Sequence, residues 1–184
     1  MKFFAICVFA VSSLLACAVE SGFWKETEIS FGLPEWPLKG TLTVPVEGSG
    51  PFPLVVLVHG SGPHDRDETI GPNRPFRDIA HDLAGKGIAT LRYEKRTRAH
   101  SAQFAKLKNY TLNDEVIDDA VLAVGFAANC NGIDSSRIFV LGHSLGGMLL
   151  PRIAAATAVP RSLCGCTLII AASRLGRCLI KYSI

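Results

Sequence analysis

The stretch Arg137-Ile138-Phe139-Val140-Leu141-Gly142-His143-Ser144-Leu145-Gly146 decides the fold. Its first half is a short apolar run containing β-branched residues, which reads as a buried strand. The residues from Gly146 to Ala156 read as a helix, although Pro151 predicts a kink there. Between the two lies Gly142-His143-Ser144-Leu145-Gly146, a match to G-x-S-x-G. Three fixed positions at roughly 7% each recur by chance in about one chain in twenty of this length, so the match alone says little. Its place between a strand and a helix says more, because a turn that sharp holds the serine in a strained conformation with its hydroxyl above the sheet edge. Side chains at positions 142 and 146 would collide with the neighbouring helix or strand, so glycine fits both. Ser144 then lies at a helix N-terminus, where negative charge is favoured.

Further out, Leu54-Val55-Val56-Leu57-Val58 is a continuous apolar run between Pro53 and Gly60, suited to a parallel strand covered on both faces. A Gly/Pro/Asp-rich loop follows from His59 to Pro75. Its start, His59-Gly60-Ser61-Gly62-Pro63, is small enough for backbone N–H groups to approach a substrate oxygen. The amides of Ser61 and Leu145 are the expected donors to an oxyanion near Ser144, each worth about 3 kcal/mol in a transition state. Phe76, Ile79, Ala80 and Leu83 repeat at helical spacing, with Gly85 and Gly87 ending the helix. Ile88–Tyr93 reads as a strand and Glu94–Tyr110 as basic and irregular. Thr111-Leu112-Asn113-Asp114 is a capping-box-like start for a helix through Val116, Ala120, Val124 and Ala127. Asp134-Ser135-Ser136 reads as a loop, and Thr167–Ala171 as a last strand. Trp24–Ser30 and Leu38–Val44 supply two strands at the start. Strands alternating with helices predict an α/β fold, with a mostly parallel sheet, helices on both faces and an antiparallel start. Ligands of such sheets bind beyond the carboxyl ends of the strands.

The chain has 184 residues, 48% of them hydrophobic and 19% charged, which suits one globular domain and excludes a disordered chain. A net charge of +3 is too small to imply a nucleic-acid partner. Lys2 followed by the apolar run Phe3–Val19 is a secretory signal pattern, too short to favour a spanning helix. Residues 1–16 are therefore expected to be a signal peptide. Ala16-Cys17-Ala18 fits a plain cleavage site, and Leu14-Leu15-Ala16-Cys17 resembles a lipobox in which Cys17 is lipidated and attaches the chain to a membrane. Export follows from either. The six cysteines show no zinc-like spacing, and a bridge from Cys130 to the tail stands beside the simpler reading of free thiols.

With the elbow and the glycine-rich loop in this order, the chain resembles the α/β-hydrolase superfamily. The stretch His59–Ala80, with Leu91-Arg92-Tyr93-Glu94-Lys95-Arg96-Thr97, is similar to exported bacterial carboxylesterases of the EstD type, near the dienelactone-hydrolase and prolyl-oligopeptidase branches. The resemblance covers about Trp24 to Ala156. It implies hydrolysis of small-molecule carboxylic esters through an acyl-enzyme, with Ser144 as nucleophile, Ser61 and Leu145 as oxyanion donors, and no cofactor or metal. Arg66, Asp67 and Arg96 are expected to be solvated charges that shape the loop.

One departure stands out. A serine hydroxyl needs a base, and in this superfamily the acid and then the histidine follow the serine. The 40 residues after Ser144 contain no Asp, Glu or His, and carry Arg152, Arg161, Arg174, Arg177 and Lys181. The expectation is a truncated or frame-shifted half-fold lacking the last strand–helix units: a partial hydrolase domain over 22–172 and an aberrant tail over 173–184. Three functions share these motifs: an impaired ester hydrolase, a non-catalytic exported binding protein or inactive fragment, and a peptidase or acyltransferase.

Overall fold

The structure is a computed structural model that describes residues 22–157 in full and the backbone of Ala18–Glu20 and Cys166–Leu168. The expected signal peptide, Cys17 and the tail 173–184 lie outside the described residues, as do all the cysteines but Cys130 for any statement about side chains.

Seven strands form one sheet: β1 (Ala18–Glu20), β2 (Trp24–Leu33), β3 (Trp36–Pro45), β4 (Phe52–Val58), β5 (Ala89–Tyr93), β6 (Ile133–His143) and β7 (Cys166–Leu168), in the spatial order β1-β2-β3-β5-β4-β6-β7. The β1–β2, β2–β3 and β3–β5 pairs are antiparallel, whereas β5–β4, β4–β6 and β6–β7 are parallel. The sheet is thus mixed, with its parallel half where the apolar runs lie. In β4, Leu54, Val56 and Val58 join a core cluster with Ala120, Val124, Leu149 and Ile153, and the intervening Leu57 is equally buried but outside that cluster. This period of two means that both faces of β4 are covered, as its uninterrupted apolar sequence requires.

Five α-helices are described: α1 (Pro75–Ala84), α2 (Arg96–Ala99), α3 (Ser101–Phe104), α4 (Asp118–Ala128) and α5 (Leu145–Ala156). Pro75 begins α1, where its missing N–H costs nothing, and the Gly85 N–H closes on the His81 carbonyl at its end. The capping box forms: Asn113 N–H donates to Thr111 Oγ1, and the Thr111 N–H and hydroxyl donate to Asp114 Oδ2 at 2.8 and 2.7 Å.

Three expectations change. The segment read as irregular contains α2 and α3, whose short turns carry too little apolar periodicity to be seen. The helix expected from Asp114 begins as a π-turn over Asn113–Ile117, a local widening that sequence periodicity does not report. Asp134-Ser135-Ser136 falls inside β6, not in a loop. The register against β4 nevertheless jumps there, from Phe52↔Ile133 to Leu54↔Ile138, and Asp134 accepts from Ser136 and Arg137. Turn chemistry is present, absorbed as a bulge within the strand. Pro151 lies inside an uninterrupted α5.

Candidate active site

β6 ends at His143 and α5 begins at Leu145, leaving Ser144 alone between them at φ 48°, ψ −113°. Among the described residues only Ser144 and Glu68 combine a side chain with positive φ. Such positions cost about 1–3 kcal/mol and persist only where the surroundings dictate them. Here they do. A Cβ on Gly142 would stand 2.4 Å from the Gly146 and Gly147 backbone, and one on Gly146 would stand 2.5 Å from the Val58 carbonyl oxygen. Both glycines are imposed by the close passage of α5 over the ends of β4 and β6.

The loop after β4 meets this turn at Gly60. A Cβ there would lie 3.0 Å from His143 Nδ1, 3.1 Å from Glu68 Oε1 and 3.3 Å from Ser144 Cβ. Ser61 and Ser144 are both exposed. The Ser144 hydroxyl makes no hydrogen bond to any described residue, and the Ser61 N–H donates to none of them. The Leu145 N–H opens α5 and so has no intrahelical acceptor. The structure therefore brings Ser144, Leu145, Gly142, Gly146 and the Gly60–Ser61 segment together at the carboxyl ends of β4 and β6.

Beneath them lies a buried polar layer that sequence reasoning missed. Glu68 is fully buried, and its Oε1 accepts from the Gly60 N–H at 2.8 Å and from His143 Nδ1 at 2.6 Å. Burial pushes its carboxyl up, but the His143 and Gly60 hydrogen bonds and the nearby imidazoles outweigh that and hold it below the usual range. His59 is fully buried, donates from Nε2 to the Asp65 carbonyl, and packs edge-on against Tyr93. Burial above all, with lesser contributions from Lys95 and His64 against the opposing pull of Glu68, lowers its pKa to about 4. Lys95, 2% exposed, donates to the Gly60 carbonyl at 2.8 Å and to Glu115 at 2.7 Å.

The charges expected to be solvated are not. Arg66 bonds Glu94, Glu28, Thr41 and the Gly40 carbonyl, and Asp67 pairs with the buried Arg92, which also pairs with Glu26. Arg96 and Asp119 are a buried pair, with Arg96 stacked over Trp36. A run such as Asp65-Arg66-Asp67-Glu68 in a Gly/Pro-rich loop has no periodicity, so nothing in it distinguishes a solvated charge from an anchored one. Lys95 carried a usable signal, since it follows β5 at the carboxyl end, where such sheets place their sites.

Among the described residues no cluster of three His, Cys, Asp or Glu side chains is arranged to hold a metal ion. No helix among them is long and apolar enough to cross a membrane. A concavity of about 680 Å³ lined by Phe31, Val121, Phe126 and Ala156 contains none of the site residues.

The sequence profile of the Alpha/beta hydrolase family matches residues 55–180, more than half of the chain and the whole of the site. The chain belongs to that family. It is 56% identical over 117 residues to Esterase EstD of Thermotoga maritima, a match covering 64% of this chain and 27% of that protein. The chain thus spans about a quarter of the length of this hydrolase relative. Among solved structures, an acetyl xylan esterase from Paenibacillus sp. R4 aligns at TM-score 0.59 and 18% identity, over 79% of this chain and 50% of that one. A dienelactone hydrolase-like phosphotriesterase, P91, from metagenomic libraries aligns at TM-score 0.52 and 16% identity, over 72% and 54%. At such identities these structures speak for the α/β-hydrolase fold alone.

Proposed function

We propose that this α/β hydrolase carries the nucleophile and the oxyanion donors of a carboxylic ester hydrolase. Ser144 is the residue that is acylated, and the N–H groups of Ser61 and Leu145 receive the oxyanion of the tetrahedral intermediate. The observation that carries this reading is Ser144 at positive φ against Gly60, with its hydroxyl and the Ser61 N–H both uncommitted. The 56% identity to an esterase supports the substrate class.

Among the described residues no acid or base bonds Ser144. His59, His64, His81, His100 and His143 bond to Asp65, Ser61, Glu26, Pro37 and Glu68 respectively, and none bonds Ser144. An unassisted hydroxyl is a poor nucleophile, whereas preorganised amides still stabilise an oxyanion when water attacks. The 184-residue chain should therefore hydrolyse p-nitrophenyl acetate slowly, at no more than the ~10³–10⁴ over water that sites without a working triad retain. Ser144→Ala should leave that rate within about twofold, because no acyl-enzyme forms without a base. Steady-state release of p-nitrophenol measures both. Efficient turnover abolished by Ser144→Ala would place a base within the chain, and a rate equal to that in water would remove the oxyanion assignment.

Export is part of the same proposal, resting on Lys2 and the apolar run that follows it. A mature N-terminus at Cys17 or just after Ala18, read by mass spectrometry after expression in a bacterial host, is the expected result. An intact Met1–Val19 segment would refute it.

A further inference from the structure

Three of the four backbone polar groups of Gly60 and Ser61 are tied down by side chains. The Gly60 N–H donates to Glu68, the Gly60 carbonyl accepts from Lys95, and the Ser61 carbonyl accepts from His64 Nε2 at 2.6 Å. The fourth, the Ser61 N–H, is the donor assigned above to the oxyanion. It belongs to the same peptide unit as the Gly60 carbonyl. That unit is planar and trans, so the two groups point in opposite directions. Whatever fixes the Gly60 carbonyl therefore fixes the direction of the Ser61 N–H.

We propose that Lys95 is the positioning residue of the oxyanion donor: its ammonium holds the Gly60 carbonyl, aims the Ser61 N–H away from itself and strengthens that N–H as a donor. This rests on the ester-hydrolase reading of the site. A cation bonded to the carbonyl end of an amide draws electron density from its nitrogen, and hydrogen bonds in such a chain reinforce one another. The ammonium, which follows β5 and reaches the loop at Gly60, also opposes the field of the Glu68 carboxylate that bonds the Gly60 N–H.

Burial supports a role beyond packing. Lys95 is 2% exposed, and its partner Glu115 comes from the π-turn Asn113–Ile117. A buried ion pair is a weak source of stability, since an apolar residue of similar volume commonly serves as well or better. The π-turn is itself a local irregularity of the kind that recurs at functional sites. The sequence thus accepts a desolvated ammonium and a distorted helix start, and the contact both support is the one to Gly60.

The test uses the 184-residue chain with p-nitrophenyl acetate, alongside the Ser61 amide signal in a ¹H–¹⁵N spectrum. Lys95→Met should lower kcat about 10- to 100-fold, short of or equal to outright loss of an oxyanion donor, while KM moves less than about twofold. The Ser61 amide proton should shift upfield. Lys95→Arg keeps a charged donor, and should restore most of kcat and return the resonance toward its original position. A folded Lys95→Met variant with unchanged kcat and an unmoved Ser61 resonance overturns the proposal. A wild-type chain with no rate above water overturns the ester-hydrolase reading but not the positioning, which the Ser61 resonance then decides alone. Where Lys95→Met does not fold, Lys95→Met/Glu115→Leu removes both charges of the pair and is read in the same way.

Discussion

Between pH 6.5 and pH 4 the protein should lose about 3 kcal/mol of stability through His59 alone. The imidazole is wholly enclosed beneath the loop after β4, where burial is the largest influence on it, and its pKa falls from the ordinary 6.5 to about 4. In the unfolded chain the same ring is charged below pH 6.5. Unfolding therefore takes up a proton across this window, and the stability that His59 contributes is complete above pH 6.5 and lost as the pH falls toward 4. The slope approaches about 1.4 kcal/mol per pH unit for one proton. Glu68 acts in the same direction at the lower end, since its depressed carboxyl contributes stability that disappears as it is protonated. The raised pKa of Asp119 acts in the opposite direction, so the wild-type curve alone is not diagnostic. The difference from His59→Gln is diagnostic, because glutamine retains an amide donor for the Asp65 carbonyl and does not titrate. Urea unfolding at a series of pH values should give a shallower acid slope for the variant by nearly one proton, and parallel curves would contradict the burial of His59.

The parts of the fold legible in the sequence were those written in local chemistry. The run Leu54–Val58 announced a strand covered on both faces because every residue in it is apolar, and the structure covers both faces. The turn at Ser144 was legible because its glycines are demanded by backbone collisions, which a sequence motif records directly. What the sequence did not disclose depends on partners far apart in the chain. Arg66 is anchored by Glu28, 38 positions away, and Arg92 by Glu26, 66 positions away, and no spacing rule links such residues. Nothing in the sequence singles out Glu68, because its φ of 51° and its bonds to Gly60 and His143 exist only once β6 lies beside β4. The bulge in β6 and the π-turn before α4 were missed for a related reason. Turn-forming residues and helix caps were correctly placed, but whether they end an element or are absorbed within it is decided by packing.

These anchors account for how the loop beside Ser144 keeps its shape. Arg66, Asp67 and Glu68 tie three successive residues of the loop to β2 and β3, to β5, and to the turn at Ser144 respectively. Exposed ion pairs such as Arg66–Glu28 contribute little, but Asp67–Arg92 and Glu68–His143 are partly or wholly buried, and removing one partner there leaves an uncompensated charge.

As the proposed nucleophile, Ser144 requires an acid and a base. In this superfamily both follow the serine in the chain. A chimera in which the C-terminal remainder of Esterase EstD follows Ala156 joins that relative's own continuation to a similar core, given 56% identity over 117 residues. Its hydrolysis of short p-nitrophenyl esters, measured beside that of its Ser144→Ala variant, is the most direct test. The account predicts efficient turnover that falls by about 10⁴–10⁶ in the variant, the usual cost of losing the nucleophile of a complete triad. Efficient turnover that survives Ser144→Ala would contradict it.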